Sequence, residues 1–168
     1  MSLYSVDKLI SEARRIAAEY RRTTGKSLPI SSEIALHDAC TTLQLEPVET
    51  PAGYDAIGKH GEREGLRYQI KARAIFDDKK SGQRLGQIKI EQQWDKIILV
   101  LMNEAFETTE IFEASREDIL EDFENSETSN RKKRGVISVA RFKRLAELVW
   151  TQEEGLIEDE VWDNKASL

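Results

Sequence analysis

The run Ile97-Ile98-Leu99-Val100-Leu101-Met102 has neither a polar interruption nor an alternating pattern. It is far shorter than the roughly 18 apolar residues that a membrane span requires. A short, continuously apolar stretch fits a strand covered on both faces, and such a strand needs packing layers above and below its sheet. The chain on either side has to supply those layers.

Residues 107–114, "ETTEIFEA", read as a more polar hairpin partner of this strand, after a turn around Asn103–Phe106. Two further strands are expected over 53–57 and 66–75, joined by "GKHGEREG", whose glycines permit the positive backbone angles of a turn. Helices frame them. Ser5 is expected to cap one over about 6–22, where Leu9, Ile10, Ala13, Ile16, Ala17 and Tyr20 recur at helical spacing. Ser31 or Ser32 is expected to cap a second, to about Leu43, with Ile34, Ala35, Ala39 and Leu43 turned inward; Pro47 and Pro51 stop its continuation. Ser115 and Asp118 open a short acidic helix. A basic last helix is expected over about 138–150, capped by Ser138, with Val139, Phe142, Leu145, Ala146, Val149 and Trp150 on one face. The fold class is therefore α/β, a small mixed β-sheet flanked by helices.

At 168 residues the chain fits one domain, expected over 1–150 with its core at about 31–120. A hydrophobic content of 39% beside 33% charged residues is that of a globular chain with a highly charged surface, which excludes a disordered one. The tail 151–168 has six acids among its seven charged residues, with Leu156, Ile157, Val161 and Trp162 between them, and is either docked or disordered. Cys40 is the single cysteine, so an intrachain disulfide and a cysteine-based zinc site are excluded and a buried thiol is expected. With no apolar leader and no membrane span, a cytoplasmic location is expected. No small-molecule organic cofactor is expected.

The net charge of −6 argues against nucleic acid only as an average. From Asn103 to Glu127 there are ten acids and one arginine, whereas from Arg131 to Arg144 there are seven bases and no acid. A local field of that kind matters more to a polyanion than the total does. Arg73, Arg131, Lys132, Lys133, Arg134, Arg141, Lys143 and Arg144 are the candidate phosphate contacts; a solvated surface is the plainer account of the same charges.

Side chains alternate across a strand, so Gln69, Lys71 and Arg73 share one face and Tyr68, Ile70 and Ala72 the other. Asp55 lies between Tyr54 and Ala56 and leaves on the face opposite theirs. With the turn near Gly61–Glu62, Asp55 falls beside Tyr68 and Gln69, and a one-residue shift or a small bulge aligns it with the polar face. An acid, an amide and an ammonium would then converge. Magnesium prefers oxygen ligands, commonly one or two carboxylates with water and substrate phosphate. Asp55 can supply the carboxylate and Gln69 a neutral oxygen, while Lys71 positions or deprotonates the attacking water and offsets charge on phosphorus. Glu33, on the preceding helix, is placed to complete the site through a water. The same pattern also describes any half-exposed strand with an aspartate before a turn.

At these residues the chain resembles the restriction-endonuclease-like superfamily, the PD-(D/E)xK nucleases, and within it the branch with G-x-D followed by Q-x-K. Gly53-Tyr54-Asp55 matches the first element and Gln69-Ile70-Lys71 the second. The likeness extends to the order of parts over about 31–120: an acid-bearing helix, the hairpin, then the apolar strand "WDKIILVLM" with its partner. It departs from the signature in having Tyr54 where the proline stands and the neutral Gln69 in place of a carboxylate. The resemblance implies a magnesium-dependent DNA endonuclease, with Mn²⁺ as substitute, in which Asp55 and Glu33 are acidic ligands, Gln69 the variant ligand and Lys71 the catalytic lysine. It also implies a homodimer that cuts one strand per subunit, and the apolar positions of the tail are candidates for that interface. The alternatives are a catalytically inactive module of the same fold, binding DNA or protein in a defence or repair complex, and a protein-interaction domain without nucleic acid. His37 and His60 are expected to be hydrogen-bonded or solvated, and Trp94 and Trp150 to be core. Lys89, Gln92 and Gln93, just before the apolar strand, are candidates to face the same cleft.

Overall fold

The computed structural model describes residues 5–49, 53–76, 83–125 and 135–157. Helices α1 (Val6–Thr24) and α2 (Ser31–Leu43) lead into strands β1 (Leu45–Pro47), β2 (Ala56–Gly58) and β3 (Arg67–Ala74). Strands β4 (Lys96–Met102) and β5 (Thr108–Ser115) follow, then helices α3 (Arg116–Asn125) and α4 (Val139–Leu145), and last β6 (Glu147–Thr151) and β7 (Gly155–Leu156). The seven strands lie side by side in chain order. Every neighbouring pair is antiparallel except β3 and β4, which run parallel with Gln69 beside Ile97 and Lys71 beside Leu99. The α/β class and the mixed sheet are thus as the sequence indicates.

The parallel pair explains the apolar run. Ile98, Val100 and Met102 pack on one face with Ala17 of α1 and Ile34, Ala35, Ala39 and Leu43 of α2. Ile97, Leu99 and Leu101 pack on the other with Leu85, Ile88, Ile119 and Phe123 of α3, and Val139 and Phe142 of α4. Each such side chain removed from water contributes on the order of 1.5–3 kcal/mol, so β4 is the spine of the molecule. Among the described residues no helix is long and apolar enough to cross a membrane.

Local chemistry sets the element ends. Ser5 accepts from the Lys8 amide at 3.2 Å and starts α1, and Gly25, at φ 72°, ends it by donating to the Arg21 carbonyl. Ser115 accepts from the Asp118 amide at 3.2 Å, as expected of the acidic helix. Asn103 holds the β4–β5 turn by accepting from the Ala105 and Glu107 amides at 2.9 and 3.1 Å.

Several expectations are corrected. The second helix has Ile30 as its N-cap with no side-chain cap, so neither Ser31 nor Ser32 performs that role. Strand β2 begins at Ala56 rather than residue 53, and β1 was not anticipated, because Pro47 sits on an edge strand where a missing N–H costs nothing in the ladder. The expected helix over 138–150 stops at Leu145; Ala146 is already extended, and 147–151 join β5 as β6. There Leu148 packs on one sheet face and Val149 on the other, a period of two that the helical count obscured. The tail extends this edge as the short strand β7, and residues 158–168 lie outside the described residues.

Candidate functional site

Register decides the site. Ala56 pairs with Tyr68 and Ile57 with Arg67, so one step further along the hairpin brings Asp55 beside Gln69 without a bulge in the paired residues. The Asp55 amide donates to the Tyr68 carbonyl at 2.7 Å, and its Oδ2 accepts from the Ile70 amide at 2.8 Å. The side chain thus takes a place in the ladder and is fixed in direction. Its Oδ1 has no hydrogen-bond partner among the described residues.

Tyr68, Ile70 and Ala72 pack toward α2, which leaves Gln69 and Lys71 on the opposite face, as alternation requires. Gln69 is 5% exposed. Its Nε2 donates to the Gly53 carbonyl at 3.3 Å, and its Oε1 is buried without a partner. Because a carbonyl can only accept, this bond fixes which end of the amide is which, and the oxygen is the atom left over. A buried acceptor left unmade costs about 1–3 kcal/mol, a cost that a water or a cation at Oε1 would remove.

Gly53 is needed where it stands. Its φ is 84°, and a Cβ there would meet the Gln92 Cβ at 3.0 Å. That close approach joins the hairpin to the segment before β4, and between them lies a cleft of about 240 Å³ lined by Gly53, Tyr54, Asp55, Gln69, Lys71, Lys89 and Gln92. Lys71 donates to the Gln87 carbonyl at 2.9 Å. Burial pushes its ammonium below the ordinary lysine value; Asp55 opposes that shift and Lys89 adds to it.

The donor set is one carboxylate oxygen and one amide oxygen, both hard, with volume for several waters. That fits a magnesium-like cation, which keeps much of its hydration and takes few protein ligands. It does not fit a caged metal: among the described residues no group of three or more His, Cys, Asp or Glu side chains is placed to hold one.

Other expected residues fall elsewhere. Glu33 is exposed and lines a different cavity, of about 380 Å³, with Val6, His37 and Cys40 among others. The reason is sidedness: α2 packs on the Tyr68 face of the sheet, whereas Gln69 and Lys71 leave from the other. Its expected part in the ligand set is therefore corrected. His37 pairs with Asp7 at 3.0 Å, and burial pushes the Cys40 thiol up to about 11, with Asp55 adding to the shift. Arg73 donates to the Arg84 carbonyl. Arg141 is held by Asp122 at 2.7 Å, and Lys143 lies 3.8 Å from Glu110 and over the Phe112 ring, so these two are engaged within the fold rather than free for phosphate. Arg144 is exposed. Arg131, Lys132, Lys133 and Arg134 lie outside the described residues. Lys89 and Gln92 do face the cleft, but Gln93 does not line it and accepts from Arg67 at 3.4 Å.

Gln69→Glu tests the amide's orientation. A carboxylate would set two acceptors against each other at Gly53, so the variant loses about 2 kcal/mol of stability in chelator. Millimolar Mg²⁺ recovers most of it. Urea denaturation with and without the cation measures both.

No protein-family model matches the chain, and no curated protein matches it.

Proposed function

We propose that the chain is a divalent-metal-dependent DNA endonuclease of the restriction-endonuclease-like type. The observation that carries this is the meeting of Asp55, the orphaned oxygen of Gln69 and the Lys71 ammonium in one cleft. The order of parts supports it too: helix, hairpin, then an apolar strand parallel to the hairpin's second arm. Asp55 and Gln69 would hold Mg²⁺ or Mn²⁺, and Lys71 would orient the attacking water and receive or share its proton. The chemistry a bound dication supplies is polarisation of the phosphoryl oxygen. A cytoplasmic setting goes with this reading. Incubating plasmid and linear DNA with Mg²⁺ or Mn²⁺ tests it: nicked or linear product that disappears in EDTA supports it, and intact DNA in both metals overturns it.

The inactive-module reading is favoured by the single carboxylate among the described residues of the cleft lining. Calorimetry separates the two: no heat with millimolar Mn²⁺, with or without DNA, favours the module.

A homodimer belongs to the same proposal, and α1 is the surface that supports it. Val6, Leu9, Ile16 and Tyr20 are 64, 49, 50 and 38% exposed, and with Ala13 they repeat at alternating intervals of three and four. That is the seam spacing of a helix packed on another helix, here a second copy of the chain. Ion pairs Glu12–Arg15 and Glu19–Arg22 border it, so neither charge repels a copy. Ile16→Glu is expected to convert a sedimenting dimer to monomer; a monomeric wild-type protein at micromolar concentration removes this part of the proposal.

A further inference from the structure

The cleft has a second wall that the hairpin does not supply. It is the turn before β4, in which the Gln92 amide donates to the Lys89 carbonyl at 3.2 Å and both side chains line the cleft. The turn is held from three directions. The Trp94 indole, itself buried, donates to the Lys89 carbonyl at 2.8 Å. Arg116 donates to the Gln92 and Trp94 carbonyls at 2.9 and 3.0 Å and to that of Ile90, with its guanidinium 4.6 Å from the Trp94 ring centre. On the other side, the Ile88 amide donates to the Gly135 carbonyl at 2.9 Å, an approach so close that a Cβ on Gly135 would lie 2.3 Å from the Ile88 oxygen.

Lys89 stands on this rigid support with its ammonium exposed at the cleft. No carboxylate pairs with it among the described residues, whereas Lys59, Lys96, Arg67 and Arg141 each have one. Lys71, the other ammonium of the lining, is tied to the Gln87 carbonyl. With Asp55 as the single acid among the described lining residues, these carry two positive charges against one negative. An unpaired ammonium on a preorganised turn, beside a donor set for a hard cation, suits the non-bridging oxygen of a phosphodiester, which Lys binds as a point charge.

We propose that Lys89 is a phosphate-binding residue of this cleft, gripping the substrate strand from the wall opposite Asp55, and that Arg116 is the positioning residue that holds its turn in place. The inference rests on the reading of the cleft as a phosphodiesterase site. It gives the crossover segment a direct part in substrate binding, separate from the hairpin that carries the hydrolytic groups.

The test is the salt dependence of binding to a short fluorescein-labelled DNA duplex, measured by anisotropy in EDTA so that no cleavage intervenes. Lys89→Gln, an exposed change that leaves the fold intact, makes the slope of log K against log salt shallower by about 0.9 and weakens binding about tenfold at moderate salt. Lys89→Arg restores both. In Mg²⁺ the same Gln variant raises KM more than it lowers kcat. Arg116→Lys keeps the charge but loses the fork that spans three carbonyls, and it reproduces the Lys89→Gln defect; normal binding in that variant overturns the positioning role. A wild-type slope in Lys89→Gln, from a protein that still binds and cuts, overturns the Lys89 role and leaves the hydrolytic reading standing. A wild-type protein that neither binds nor cuts overturns both.

Discussion

Lys71→Ala is expected to lower the proposed divalent-dependent DNA cleavage by about 10²–10³-fold, the scale on which one preorganised electrostatic contact contributes to a transition state. It shifts stability by less than about 1 kcal/mol, because among the described residues the lysine has no carboxylate partner within ion-pair distance to strand and its hydrogen bond goes to the exposed Gln87 residue. Asp55→Asn complements it. The amide oxygen can still accept from the Ile70 amide, so the hairpin register persists, while the charge that anchors the cation is gone. Single-turnover cleavage and calorimetry with Mn²⁺ therefore separate the two: the lysine variant would still bind metal and cut far more slowly, and the asparagine variant would lose both metal binding and cleavage. Undiminished cleavage by Lys71→Ala would remove the lysine from the chemistry.

Gly58→Ala is expected to be the most disruptive small substitution in the hairpin. An added Cβ would fall 1.9 Å from the Arg63 carbonyl oxygen and 2.6 Å from its carbon, both backbone atoms that cannot swing aside. Gly58 also donates to Leu66 at 2.9 Å and accepts from Gly65 at 3.0 Å, so relieving the clash opens the turn that sets the register of Asp55 against Gln69. Arg63 itself reaches Glu113 at 2.8 Å, a buried carboxylate that also pairs with Lys96 at 3.1 Å, and that network shifts with it. A loss of about 3 kcal/mol follows, at the upper end for overpacking, and urea denaturation measures it. Retained metal affinity in a folded Gly58→Ala protein would show that the site tolerates a moved hairpin.

The sheet was legible in the sequence because its centre is apolar without interruption, which few other elements explain. The polar face of β3 was legible for the same kind of reason, since a period of two separates Gln69 and Lys71 from Tyr68 and Ile70 whatever the register. Register itself was not legible: it depends on a turn closed by Gly58, and on Asp55 bonding the Ile70 amide, neither of which leaves a pattern in the letters. Glu33 was misjudged because a helical acid can be counted along the chain, but the side of the sheet on which the helix packs cannot. Lys89 and Gln92 were within reach, as polar residues just before the central strand. What fixes them is Arg116, 24 positions beyond Gln92, and that link exists only once β4 and β5 have paired. Residues 146–150 show the opposite error, where a helical spacing of apolar residues was real and strand β6, between β5 and β7, used it.

The cleft draws its two walls from chain segments that become complete at different times. Its hairpin closes over local contacts, whereas the opposing turn is completed by groups later in the chain, the Arg116 guanidinium at the start of α3 and the Gly135 carbonyl among them. On the proposed nuclease reading, a chain that has emerged from a ribosome through Ala74 would hold Asp55, Gln69 and Lys71 without the surface that would grip a strand. Competence as a cutting agent would then arrive late, after the residues that do the chemistry are already in place.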